Sequence, residues 1–186
     1  QGPPAGICGS GILDAVAEMR RVGIIDERGV FQPGQAGVEK QGHLSSFQLV
    51  PADPVNNVDA IQVTRKDVNE IQLAKAAIRA GIEILLKESQ LEANQIQRFI
   101  VAGAFGTYLH LPSALAIGMF PPLPEERFFQ AGNAAGAGAR YMLLVNEFRK
   151  QAEALYGRMK YIELTIQKDF QETYMASLLL DNQPIK

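Results

Sequence analysis

Directly after Gly9-Ser10-Gly11, Ile12, Val16 and Met19 recur at helical spacing, which predicts a helix with Ser10 as N-cap and Gly23 as its stop. Ile24-Ile25 and Val30-Phe31 then flank Asp26-Glu27-Arg28-Gly29, whose Asp and Gly ends suit a type I turn. Two or three short strands and loops are expected from there to Ala60, including an apolar burst at Phe47 to Val50. Ile61-Gln62-Val63 alternates like a strand and runs into Thr64-x-x-Asp67, a capping box with Asp in place of Glu. A long helix to about Glu88 follows, with Val68, Ile71, Ile78, Ile82 and Leu85 on one apolar stripe bordered by Ala74. Asn94-Gln95 breaks the chain. Phe99 to Ala102, apolar without alternation, reads as a central strand covered on both faces. A short helix over Pro112 to Ile117, a strand at Phe128 to Ala131, and a helix from about Ala134 to Tyr156 come next. Tyr161 to Leu164 reads as a last strand and Lys168 to Leu180 as a last helix. Strands alternating with helices predict an α/β fold whose sheet has parallel members.

With 186 residues, 47% hydrophobic and 20% charged, the expected organisation is a single α/β lobe spanning 1–186. A net charge of −2 gives no footprint for nucleic acid or an anionic membrane, and runs such as Phe99 to Ala104 are too short to span a bilayer. Nothing in the sequence argues for secretion, so a cytoplasmic setting is expected. Cys8 is a single thiol, short of the four an iron–sulfur cluster usually takes, and His43 and His110 lack the spaced partners of a zinc site. The opening Gln1-Gly2-Pro3-Pro4 runs almost at once into a glycine-rich motif, which reads as a fragment of a longer multidomain protein; a processed N-terminus is the alternative.

Three glycine-rich turns carry the candidate chemistry. Gly9-Ser10-Gly11 opens a helix, Gly103-Ala104-Phe105-Gly106 follows a strand, and Gly132 to Gly138 joins a strand to a helix. Helix N-termini offer unpaired N–H groups to phosphate, and glycine allows close approach, although small residues at such junctions also serve packing alone. Within the third turn, Asn133 and Gly136 are the expected ligand contacts, Asn133 also being a natural helix cap. Lys75 fills the gap in the apolar stripe, where its ammonium either snorkels to solvent or meets an anion such as a nucleotide. Asp14 either holds the adjoining loop or a water near phosphate, or is a solvated surface residue or serves the helix dipole. No P-loop, no strand-linked G-x-G-x-x-G, no Ser-His-Asp set and no carboxylate cluster for Mg²⁺ is evident, and no catalytic residue can be singled out.

Several segments together resemble the C-terminal part of the reductive activators of corrinoid proteins: Gly6 to Asp14 (GICGSGILD), Gly23 to Phe31 (GIIDERGVF), Asp67 to Gly81 (DVNEIQLAKAAIRAG), Val101 to Gly106 (VAGAFG), Gly132 to Arg140 (GNAAGAGAR), and Tyr161 to Leu164 with Phe170-Gln171. The likeness covers nearly the whole chain with the motifs in order. It implies an actin-like ATPase (ribonuclease H-like) lobe of the acetate and sugar kinase, heat-shock chaperone and actin (ASKHA) superfamily, with a mixed sheet flanked by helices. It further implies ATP with Mg²⁺ bound between two lobes, and a [2Fe-2S] ferredoxin-like domain elsewhere in the protein that passes an electron to Co(II) corrinoid. The Gly103–Gly106 turn would then lie by adenosine, with Gly132–Gly138 on the same side. A corrinoid protein is the implied partner, and a homodimer is a further expectation. The rival expectations are a non-catalytic module for dimerisation or corrinoid-protein docking, and a lobe of a small-molecule kinase.

Overall fold

The computed structural model describes residues 4–41, 44–55 and 58–183; His43 and the Gln1–Pro3 start lie outside them. Helix α1 (Gly9–Arg21) leads into strands β1 (Val38–Gln41), β2 (Leu44–Val50) and β3 (Ile61–Thr64), and β3 runs without a break into the long helix α2 (Arg65–Glu88). Strand β4 (Phe99–Ala102), helices α3 (Ala104–Tyr108) and α4 (Leu111–Ala116), strand β5 (Phe128–Gly132), and helices α5 (Ala134–Leu144), α6 (Asn146–Tyr156) and α7 (Phe170–Ala176) complete the order. The expected parallel and antiparallel pairings both occur, divided between two sheets: β1-β2-β3 is antiparallel, and β4-β5 is a parallel pair.

Local signals explain the first half. Cys8, not the expected Ser10, caps α1: its Sγ accepts from the Gly11 N–H at 3.4 Å. At the other end Gly23 adopts φ +76°, and the N–H groups of Gly23 and Ile24 return to Arg20 and Met19, the Schellman closure that glycine permits. The Asp26–Gly29 turn closes through Gly29 N–H to the Asp26 carbonyl at 2.9 Å. Thr64 and Asp67 form the reciprocal capping box that starts α2.

The core gathers Leu13, Val16 and Met19 of α1 with Ile25, Phe31, Val63, Val68, Ile117 and Phe120. On the inner face of β4 and β5, Phe99, Phe120 and Phe128 stack with ring centroids 4.9–5.8 Å apart.

Four expectations need correction. The α2 stripe is rotated: Ile78 and Leu85 are exposed, whereas Gln72, Lys75, Ala76, Arg79 and Ala80 are buried, because the C-terminal segment covers that face. Strand β4 is not covered on both faces; its burial alternates, and Ile100 is exposed. The helix expected from Ala134 to Tyr156 breaks at Val145, whose extended backbone (φ −130°) separates α5 from α6. Tyr161 to Leu164 is no strand: Glu163 takes hydrogen bonds from Tyr161 and Thr165, local bonds that compete with a ladder.

Candidate functional site

Two of the three glycine turns meet. The N–H of Gly103 donates to the carbonyl of Gly132 at 2.8 Å, so the C-terminal ends of the parallel β4 and β5 are tied side by side. Both residues have positive φ, +105° at Gly103 and +60° at Gly132, a conformation side chains rarely adopt. A Cβ built on Gly103 would meet nothing within 4 Å, so this corner is open. Gly106, by contrast, is packed: a Cβ there would come within 2.8 Å of Val101 Cγ1.

Each corner opens a helix, at the strand ends where ligands of parallel α/β folds collect. Gly103 is the N-cap of α3, and Ala104, Phe105 and Gly106 form its first turn; the side chains of Ala104 and Phe105 lie outside what the structure describes. Asn133 caps α5, its Oδ1 accepting from Gly136 N–H at 2.9 Å. The N–H groups of Ala134 and Ala135, at the first two positions of α5, have no helical acceptor by their position and form the positive end of the helix dipole.

Two residues that the sequence did not single out brace this corner. Gln130, a polar residue inside an apolar strand, donates from Nε2 to the carbonyls of Gly106 (2.7 Å) and Leu109 (2.8 Å). Thr107 Oγ1 donates to the Gly103 carbonyl at 3.4 Å and stands 3.7 Å from where a Cβ on Gly132 would lie. An amide placed among Phe, Phe and Ala was the one available signal for Gln130; Thr107 gave none.

The remaining candidates lie elsewhere. Hydrogen bonds of the Gly9-Ser10-Gly11 turn stay local: Ser10 Oγ contacts Cys8 Sγ at 3.4 Å, and these bonds from Ser10 and Gly11 hold the exposed Cys8 thiol below its ordinary pKa. Asp14 of α1 points at α4, its Oδ1 3.8 Å from His110 Nδ1, which also contacts Ser113 Oγ at 2.8 Å.

Lys75 stays in the interior instead of snorkelling, with the Asp181 carboxylate attracting it. At 1% exposure it neither snorkels nor faces an open site; its ammonium donates to the Leu179 carbonyl. Burial is the main cause of its pKa falling to about 8, with Arg79 pushing the same way and Asp181 opposing. Around it Gln72 donates to the Leu178 carbonyl at 2.8 Å, Arg79 to the Gln183 carbonyl at 3.3 Å, and Arg20 to the Leu180 carbonyl at 3.1 Å. This set clamps the C-terminal segment.

Clefts of 440 and 450 Å³ flank Lys87 and Asp169, which pair between α2 and the start of α7; none of the candidate residues lines them. Among the described residues no three His, Cys, Asp or Glu side chains cluster as a metal site. No helix among them is long and apolar enough to cross a membrane.

The chain is an ASKHA-type domain, by the family model it matches and the solved structure on which it superposes. The family model described as the C-terminal domain of RACo, the ASKHA domain, matches residues 1–186, and the chain belongs to that family. A solved structure titled reductive activator for corrinoid, iron-sulfur protein superposes with a TM-score of 0.84 at 31% identity, over 96% of this chain and 29% of that one. The corrinoid activation enzyme RamQ of Eubacterium limosum is 35% identical over 95% of this chain and 31% of its own length. The [Co(II) methylated amine-specific corrinoid protein] reductase of Methanosarcina barkeri is 27% identical over 75% of this chain and 22% of its own length. The chain thus spans under a third of each of these relatives.

Proposed function

We propose that this chain is the nucleotide-binding lobe of a longer, cytoplasmic, ATP-dependent activator that reduces Co(II) corrinoid proteins to Co(I). The observation that carries the reading is the joined Gly103–Gly132 corner, open on the Gly103 side, in a chain whose relatives are named for corrinoid activation and reduction. In this reading Gly103 to Gly106 lie along the adenosine, and the backbone of Asn133 to Gly136 supports the same side.

The corner fits a nucleotide's close approach, because a missing Cβ leaves room there. A [2Fe-2S] cluster does not fit this chain, whose only thiol is Cys8. The electron therefore comes from outside it. In this reading the groups that position Mg²⁺ and the attacking water come from an opposing lobe. What these residues do themselves is bind and orient: Gln130 and Thr107 hold the corner's backbone, and Asn133 fixes the start of α5.

An ATP titration of the full-length protein tests this. Gly103→Val is expected to weaken ATP binding at least tenfold. Gly157→Ala, at the end of α6 with φ −65° and the nearest atom 3.9 Å from the added Cβ, leaves affinity unchanged. Strain at φ +105° acts on the corner as well, so the melting temperature is read in parallel. Wild-type affinity in a folded Gly103→Val protein would overturn the reading.

A further inference from the structure

We propose that His110 is a proton-operated clasp between α1 and the junction of α3 with α4. The anomaly that leads there is Asp14. Its side chain is 42% exposed as a whole, yet its Oδ1 is shut away from solvent and no protein group donates to it. A shielded carboxylate oxygen has lost the water that would satisfy it, so leaving it bare is unfavourable. His110 Nδ1 faces it from 3.8 Å, too far for a hydrogen bond.

The same ring nitrogen is engaged by Ser113, whose buried hydroxyl lies 2.8 Å away. A neutral imidazole has one protonated nitrogen and one bare one. With Nδ1 bare, the Ser113 hydroxyl donates to it, and Asp14 receives nothing. A second proton must then settle on Nδ1, because Nε2 already carries one. The new N–H no longer accepts from Ser113 and turns a positive charge toward Asp14. A closure of about 1 Å brings the pair to hydrogen-bond length. Asp14 and Glu18 face the ring from consecutive turns of α1, and Glu18 is already paired with Arg21 at 2.6 Å. Helices α3 and α4 carry one titratable side chain between them, the exposed Tyr108. Asp14 is therefore the acid that gains a partner when the ring is charged.

The placement gives the clasp something to join. His110 is the N-cap of α4 and stands two residues beyond α3, the helix that opens at Gly103. Asp14 lies one turn into α1, the helix that opens at the Gly9-Ser10-Gly11 turn, and α1 packs along α4. At 61% exposure the ring takes its proton directly from solvent. Imidazole is the side chain whose charge changes between about pH 5 and 8, so mild acidification closes the tie and its reversal opens it.

Amide exchange in the full-length protein, corrected for intrinsic rates at about pH 7.5 and about pH 5.5, tests this in wild type, Asp14→Asn and His110→Gln. Both side chains are partly exposed, so neither substitution opens a cavity. The expected result is that α1 and α4 of the wild type gain about threefold more protection on acidification than either variant does. Wild type and variants changing alike overturns the proposal. The imidazole nitrogen signals of His110, assigned by their loss in His110→Gln, give a second readout. Nδ1 without a proton at the higher pH is expected; a proton already on Nδ1 there, donated to Ser113, would also overturn it. No nucleotide is present, so the outcome does not depend on where ATP binds.

Discussion

Helix α2 and the α5–α6 hairpin invert each other. Helix α2 buries Gln72, Lys75 and Arg79, polar side chains that ordinarily face water, while α5 and α6 leave leucines and tyrosines outside. The difference lies in what covers each. On α2 the segment from Leu178 to Gln183 lays its carbonyls on the buried donors, so each cation has acceptors in place of water. Among the described residues no such cover lies on α5 and α6. Burial in this lobe therefore follows which segment lies on top, and residue type alone predicts it poorly.

The sharpest way to break the contrast is to lift the C-terminal segment. A Cβ on Gly118 would fall 1.8 Å from the Asp181 carbonyl oxygen, and the residue sits at φ +72°. Gly118→Val should displace the segment and strand the buried Lys75 ammonium, costing roughly 3–5 kcal/mol in urea unfolding. A loss under about 1 kcal/mol would mean that the clamp contributes little.

Lys75 gives the next largest effect. Its folded pKa, about 8, lies below its ordinary 10.5, so between those values the unfolded chain holds more protons. Stability should thus rise from pH 8 to 10.5, by roughly 3 kcal/mol at most. Lys75→Met should flatten that rise relative to wild type; equal slopes in the two proteins would show that Lys75 titrates normally.

On the other side of the comparison, Leu144→Ser should change the stability of the 186-residue chain by less than about 0.5 kcal/mol, because the side chain is already in solvent. A larger loss would show that α5 contributes to this lobe's own core.

Much of the fold was legible because its signals are local. Thr64 and Asp67 announce the start of α2, Gly23 the end of α1, and Asp26 with Gly29 a turn, each through bonds spanning a few residues. The joined corner was half legible: both glycine turns stood out, but their meeting depends on the pairing of β4 with β5. What the sequence hid were relations over long separations. Lys75 interrupts an apolar stripe, yet its partner is the Leu179 carbonyl, 104 positions away. The apolar run at Phe99 to Ala102 marks a strand without saying which face is covered, and only Phe99 and Val101 turn inward to the core. The break at Val145 was masked because residues on both sides favour helix.

The central claim, that nucleotide lies against the Gly103–Gly132 corner, is most directly tested by photolabelling the full-length protein with 8-azido-ATP and mapping the modified peptides. Label within 99–110 and 128–140, competed away by ATP, is the predicted result. Competable label confined to the clefts around Lys87 and Asp169, with none at the corner, would contradict it.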